Sequence, residues 1–177
     1  MSGKKIGGAG LRGQSAGETS ICTVGVSGSG LTYRGFDIVD LAENTTFEEV
    51  AYLLLKGKLP NSQELKAYIE KLKTLRGLQP ELRSTLEGIP KTAHPMDVLR
   101  TGCSVLGNLE QEEGFINQTD HADRMLSAFP SILSYWYQYS HYGKRIDTET
   151  SDDTIGGHFL HLLHGKKPSQ LHDQVMS

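Results

Sequence analysis

Cysteine is nearly absent: the 177 residues hold two, Cys22 and Cys103, far apart in the chain. With no CxxC pair and no ladder of cysteines, a disulfide-stapled secreted scaffold is excluded and a reducing compartment is the expectation. Long apolar runs are missing as well. The longest, Val50–Leu55 and Phe159–Leu163, fall far short of the roughly 20 residues a membrane-spanning helix needs. No apolar stretch follows Lys4 and Lys5, so neither a secretory leader nor a membrane partner is expected, and the cytoplasm is the default location. An excess of positive charge is lacking too. Lys and Arg number 18 against 21 Asp and Glu, a formal net charge of −3, and broad electrostatic capture of nucleic acid is not expected. What is present is 37% hydrophobic and 22% charged residues, enough apolar material for a packed core.

Residues 1–20 carry six glycines and few large apolar groups, so they are expected to form a flexible N-terminal arm, because such a segment buries too little surface to offset backbone ordering. Residues 21–177 are expected to form one mostly α-helical unit. Its single strand signal is a hairpin, in which Ile21–Val26 and Leu31–Arg34 flank the glycine-rich Ser27-Gly28-Ser29-Gly30. Helices dominate from there. Thr46 with Glu49 and Asn61 with Glu64 have capping-box spacing. Gly57 and Gly77 suit helix stops. Leu65, Tyr68, Ile69, Leu72 and Leu75 share one face. Pro80 fits a first helical turn, and Leu82, Leu86 and Ile89 continue to Pro90. His94-Pro95 opens another helix with Val98, Leu99, Val105 and Leu106 inside, and 108–118 reads as a loop. A long helix follows from about Asp120 to Ser140. Its second half, Ile132–Tyr139, is apolar or aromatic nearly all round, which places it in the middle of a bundle. Residues 143–153 read as a charged loop. Asp153 is expected to cap a helix running through His164 and closed by Gly165. A last helix starts at Pro168, and its apolar residues Leu171, Val175 and Met176 reach Ser177 without a stop signal. The chain therefore reads as ending inside an element, a truncated bundle.

Four histidines, His158, His161, His164 and His172, invite a metal reading. Spacing of three and six residues puts His158 and His164 on different sides of a helix, since each residue turns about 100°. Histidines of an amphipathic core or interface fit this spacing better, and no metal is expected. The glycine segments near Gly7–Gly10 and Gly25–Gly30 lack the helix that must follow a phosphate loop and any Gly-Lys-Ser/Thr. No GxSxG elbow supports a serine nucleophile. Cys103, in an apolar stretch, fits a buried thiol. Asp152-Asp153 fits capping charge rather than paired catalytic acids. Lys66, Lys71 and Lys73 form a basic face of the solvated kind. Read residue by residue, the chain is a helical bundle without a complete catalytic set.

Several blocks then fall together. Tyr33-Arg34-Gly35-Phe36-Asp37-Ile38 with Asp40-Leu41-Ala42, Val50-Ala51-Tyr52-Leu53-Leu54 leading to Gly57-Lys58-Leu59-Pro60, and His94-Pro95-Met96-Asp97-Val98-Leu99-Arg100-Thr101-Gly102 resemble the N-terminal half of the citrate synthase family. Ser131–Tyr137, Thr150-Ser151-Asp152-Asp153 and Gly156–Gly165 resemble the family's bacterial 2-methylcitrate synthases more than its ordinary citrate synthases. The resemblance implies a mostly α-helical, homodimeric enzyme that condenses propionyl-CoA (or acetyl-CoA) with oxaloacetate and water, releasing CoA and needing no metal or other cofactor. It implies an aspartate that takes a proton from the acyl-CoA and two histidines that polarise carbonyls. The family carries those groups in EHxxNAS, HGGAN, GHxxY and aspartate–proline–arginine blocks, and none of these occurs in residues 1–177. No catalytic residue is therefore assigned here, and the chain alone is expected to be inactive. The one carry-over is a substrate-contacting cation near the end of the Ser62–Leu75 helix, which corresponds to Lys73, or to Lys71 if the register slips. Two alternatives stand beside this reading: a fragment of an ordinary citrate synthase, and a non-catalytic helical oligomerisation module.

Overall fold

The computed structural model describes residues 17–25, 30–114 and 117–176. The expected arm lies outside the described residues up to position 16, as do residues 26–29 of the hairpin turn. The hairpin itself is present: β1 (Cys22–Val24) pairs antiparallel with β2 (Leu31–Tyr33), Cys22 opposite Tyr33. The structure adds a third strand, β3 (Phe36–Asp37), antiparallel to β2. Arg34 at φ 50° and Gly35 at φ 91° make the two-residue turn between them. That turn type requires positive φ at both positions, and Arg34 is held there by its far end. Its guanidinium donates to Leu54 O at 2.8 Å and Ser20 Oγ at 2.6 Å, tying the sheet to the helices.

Eight helices follow among the described residues. The first, α1 (Ile38–Asn44), is an addition to the sequence reading; Asp37 caps it by accepting from Val39 N–H at 2.8 Å. Next come α2 (Phe47–Lys56) and α3 (Ser62–Thr74), each opened by the expected capping box, and α4 (Pro80–Glu87) with proline in its first turn. In α5 (Pro95–Leu109) the ring nitrogen of His94 accepts from Met96 N–H at 3.2 Å. The long α6 (Gln118–Tyr142) runs through Pro130 without stopping. The last two are α7 (Ile155–His164) and α8 (Gln170–Met176). Several boundaries differ from expectation: α4 ends at Glu87, before the expected Pro90, and α8 begins at Gln170, after the expected Pro168. Helix α3 is capped at Leu75, two residues before Gly77. The residue capping α7 is Thr154, whose hydroxyl accepts from Gly157 N–H at 2.8 Å, in place of Asp153, whose carboxylate is engaged elsewhere.

The core forms where α4 and α5 pack on the middle of α6. Leu82, Leu86, Val98 and Ile132 are completely buried there, and Tyr135 and Trp136 nearly so. Each such side chain contributes about 1.5–3 kcal/mol of burial. Gly102 permits the close approach of α5 to α6: a Cβ added there would lie 2.8 Å from Ile132 Cγ2. Ser131 meets His158 and Gln138 meets Leu162, so α6 and α7 run parallel and end on the same side of the molecule. Among the described residues no helix is long and apolar enough to cross a membrane.

Candidate functional site

The two lysines singled out by sequence sit on the last turn of α3 and face different partners. Lys71 Nζ lies 2.5 Å from Asp120 and 2.7 Å from Asp123, both at the start of α6. Asp123 is fully buried, and its second oxygen accepts from Tyr68 O–H at 2.8 Å. Lys56 Nζ approaches the same carboxylate to 3.7 Å. Burial works against the Lys71 charge, but the bonds to Asp120 and Asp123 outweigh it and raise its pKa. Tyr68 is pushed up by burial and then by its bond to Asp123, so it stays a donor.

Lys73 points the other way. It bonds Asp153 at 2.5 Å and Glu70 at 2.8 Å, and those bonds, Asp153 first, raise its pKa. Its side chain is 19% exposed, while those of Asp153 and Glu70 are 75% and 62% exposed. Lys73 thus holds exposed surface carboxylates, whereas Lys71 neutralises a buried one.

Next to Lys73 lies a polar knot that the periodicity of the sequence does not announce. Arg76, just past α3, is 1% exposed. Its Nη1 donates to Thr150 O at 2.8 Å and to Thr150 Oγ1 at 3.2 Å, and its Nη2 to Thr154 O at 3.4 Å. Its Nε has no hydrogen-bond partner. The Thr150 hydroxyl also lies 2.9 Å from His158 Nδ1, and His158 Nε2 is 3.1 Å from Ser131 Oγ. Complete burial, with Arg76 nearby, pushes His158 down to about 3, so the ring is neutral. Glu48, reaching in from α2, accepts from Ile155 N–H at 2.8 Å at the start of α7. Burial raises its pKa, against the two backbone hydrogen bonds that favour its charge. Asp152 pairs with His161 at 2.6 Å. Burial opposes the Asp152 charge, yet the bonds from Thr150 and His161 prevail and hold its pKa below the usual carboxylate range. The Thr154 hydroxyl bonds Asp173 of α8.

The histidines that suggested a metal are therefore separated by task. His158 is inside with Thr150 and Ser131, His161 is paired with Asp152, and His164 is exposed at the end of α7. Ser169 Oγ accepts from the backbone of His172 at 3.3 Å, a helix-start bond. Cys103 is half-buried with its sulfur 3.5 Å from Met125 Sδ. Chemically, the knot fastens the 143–154 loop and the start of α7 to α2 and α3. A signal for it existed in Arg76 alone, a cation within an apolar Leu75–Leu78 stretch.

Comparison with known proteins places this architecture. The chain is 68% identical over 98% of its length to the 2-methylcitrate synthase of Shewanella oneidensis, of which it covers 46%. It is 32% identical over 94% of its length to a citrate synthase of Acidithiobacillus ferridurans, of which it covers 45%. The crystal structure of citrate synthase from Thermotoga maritima superposes with a TM-score of 0.76 at 32% identity, covering 94% of this chain and 44% of that one. The ternary complex of Thermoplasma acidophilum citrate synthase with carboxymethyl coenzyme A and oxaloacetate shares the fold, with a TM-score of 0.82 at 20% identity. The chain spans under half the length of these relatives. Residues 10–177 match the family described as citrate synthase, C-terminal domain, and on that match the chain belongs to the citrate synthase family.

Proposed function

We propose that this chain is the N-terminal scaffold of a 2-methylcitrate synthase, whose whole form condenses propionyl-CoA with oxaloacetate and water to give 2-methylcitrate and CoA. The observation that carries the reading is the difference in likeness: 68% identity to a 2-methylcitrate synthase against 32% to a citrate synthase over nearly the same residues. The groups that move protons in the family belong to sequence blocks that residues 1–177 do not contain, so this segment holds and orients rather than reacts. Lys73 is the candidate substrate-contacting cation, because an incoming carboxylate can displace its exposed partners Asp153 and Glu70. Lys71, committed to buried Asp123, is the weaker candidate. We further propose that the protein works in the cytoplasm as a homodimer. Support comes from the sparse cysteines and from an apolar groove of about 380 Å³ between α2 and α6, lined by Phe47, Leu54, Met125 and Phe129, which association would cover.

The test is release of free CoA thiol from propionyl-CoA and oxaloacetate. The 177-residue chain alone gives none; mixed with the remaining half of the Shewanella oneidensis enzyme it restores turnover, with propionyl-CoA preferred to acetyl-CoA. Turnover by the chain alone at a useful rate refutes the scaffold role. Preference for acetyl-CoA in the restored enzyme favours an ordinary citrate synthase instead.

A further inference from the structure

Because α6 and α7 run parallel, their C-terminal ends lie side by side, and two depressions open there. One, about 360 Å³, is lined by Tyr137, Tyr142, Lys144 and His164 with Gln138 and Leu163. The other, about 330 Å³, is lined by His164, Lys166, Lys167, Ser169 and His172. His164 lines both, so the two are neighbours. Neither is lined by a carboxylate.

The charge at this end exceeds what the helices need. A helix C-terminus attracts cations through roughly half a negative charge, and two such ends meet here. Several of their last carbonyls already have partners. Gly143 N–H and Lys144 N–H bond Tyr139 O and Gln138 O, Gly165 N–H bonds His161 O, and Gln138 Nε2 donates to both Leu162 O and Leu163 O. Three lysines outweigh two half charges. Elsewhere among the described residues, Lys56, Lys58, Lys71, Lys73, Arg100, Arg124 and Arg145 are each matched to a carboxylate, while Lys66, Arg83 and Lys91 stand singly without an ion pair. Among the described residues, Lys166 and Lys167 make no ion pair or hydrogen bond; Lys167 acts only at longer range on Asp152, which is bound to His161. A chain of net charge −3 has concentrated unpaired cations in one concave place.

The neighbouring half is aromatic. Tyr142 is 59% exposed and stands edge-on to Tyr137, with ring centroids 5.8 Å apart. Lys144 Nζ lies 6.0 Å from the Tyr142 centroid. An exposed ring presented beside ammonium groups is the arrangement that stacks a base while the charges hold its phosphates.

We propose that these two adjacent depressions together bind a nucleoside diphosphate group, with the base on Tyr142 and the phosphates among Lys166, Lys167, His164 and His172. The chemistry is shared by a free nucleotide and by the adenosine diphosphate end of CoA. The site does not depend on the condensation reading, since none of its residues enters it.

Calorimetric titration of the 177-residue chain with ADP, pyrophosphate, adenosine and CoA tests the site. ADP binds more tightly than adenosine, pyrophosphate displaces it from the unmodified chain, and raising salt weakens it. The double variant K166E/K167E weakens ADP and pyrophosphate at least about 10-fold. Y142A weakens ADP about 5-fold or more but leaves pyrophosphate unchanged. All three positions are exposed, and an unchanged circular dichroism spectrum confirms that the variants fold. CoA binding more tightly than ADP assigns the site to the CoA end; equal or weaker binding assigns it to a free nucleotide. No binding of ADP in the millimolar range, failure of pyrophosphate to compete, or equal affinity in K166E/K167E overturns the proposal.

Discussion

Replacing Lys71 by methionine is expected to cost far more stability than the same change at Lys73, although both are lysines on one helical turn. The difference lies in what each leaves behind. Lys71→Met removes the 2.7 Å partner of Asp123, whose side chain is 0% exposed. Stripping one member from a buried ion pair costs about 3–5 kcal/mol. Two features reduce that here. The Lys71 side chain is 37% exposed, so solvent screens part of the interaction, and Lys56 remains 3.7 Å from the carboxylate. A loss of about 2 kcal/mol follows, which lowers the urea midpoint by about 1 M at a slope of about 2 kcal/mol per molar. Lys73→Met strands only Glu70 and Asp153, 62% and 75% exposed, so its cost stays below about 1 kcal/mol. Adding Asp123→Asn to Lys71→Met recovers part of the loss, because the amide keeps an acceptor for Tyr68 without a buried charge. Urea unfolding followed by far-ultraviolet circular dichroism reads all three. Equal losses at Lys71 and Lys73, or a double variant less stable than Lys71→Met alone, would refute the assignment of Lys71 to the buried carboxylate.

His158→Gln removes a neutral buried base. The folded pKa of His158, about 3, lies below its ordinary value of 6.5, so the wild-type contribution is complete above pH 6.5 and is lost as pH falls toward 3, by up to about 1.4 kcal/mol per pH unit; stability measured from pH 7 to 4 falls less steeply in the variant. Glu48→Gln retains an acceptor for Ile155 N–H and leaves neutral-pH stability unchanged or higher, whereas Glu48→Leu strands that donor and costs about 1–3 kcal/mol in thermal or urea unfolding. Gly102→Ala forces Ile132 to shift, an overpacking cost of about 1–3 kcal/mol set against about 1 kcal/mol gained in helix propensity; in Gly102→Ala/Ile132→Ala the new methyl has room, and a double-mutant cycle reads the relief as favourable coupling.

Much of the frame was legible because it is written in local chemistry. Thr46 with Glu49, Asn61 with Glu64, Pro80 and the His94-Pro95 pair act within one helical turn, and each opens a helix where its spacing says. The apolar run from Ile132 announces a central helix, and α6 is central. The misses share a different cause. Helix α1 is a single short stretch whose start depends on Asp37, itself the last residue of an unexpected strand. The third strand depends on Arg34 adopting positive φ, which a contact twenty residues away at Leu54 holds in place. At α7 both Asp153 and Thr154 can cap. Asp153 is drawn off by Lys73, and that pairing is invisible until α3 and the loop are side by side.

At the polar knot, scaffold and chemistry part company. Arg76, Thr150, His158 and Glu48 come from four stretches of chain, and no periodicity or motif joins them to one another. Together they bind the loop before α7 to α2 and α3 through bonds of 2.8–3.4 Å. Burial there favours a neutral imidazole and raises the pKa of the carboxyl, so the two ionisable groups that resemble catalytic residues are held in states suited to hydrogen bonding. Perturbed pKa values often mark reactive sites; in this cluster each perturbed group is already engaged by protein atoms on the side it presents. His158 has Thr150 and Ser131 on its two nitrogens, and Glu48 has the Ile155 amide. A proton-transfer role would require breaking those bonds and with them the start of α7. The knot is therefore a fastening between the loop before α7 and helices α2 and α3.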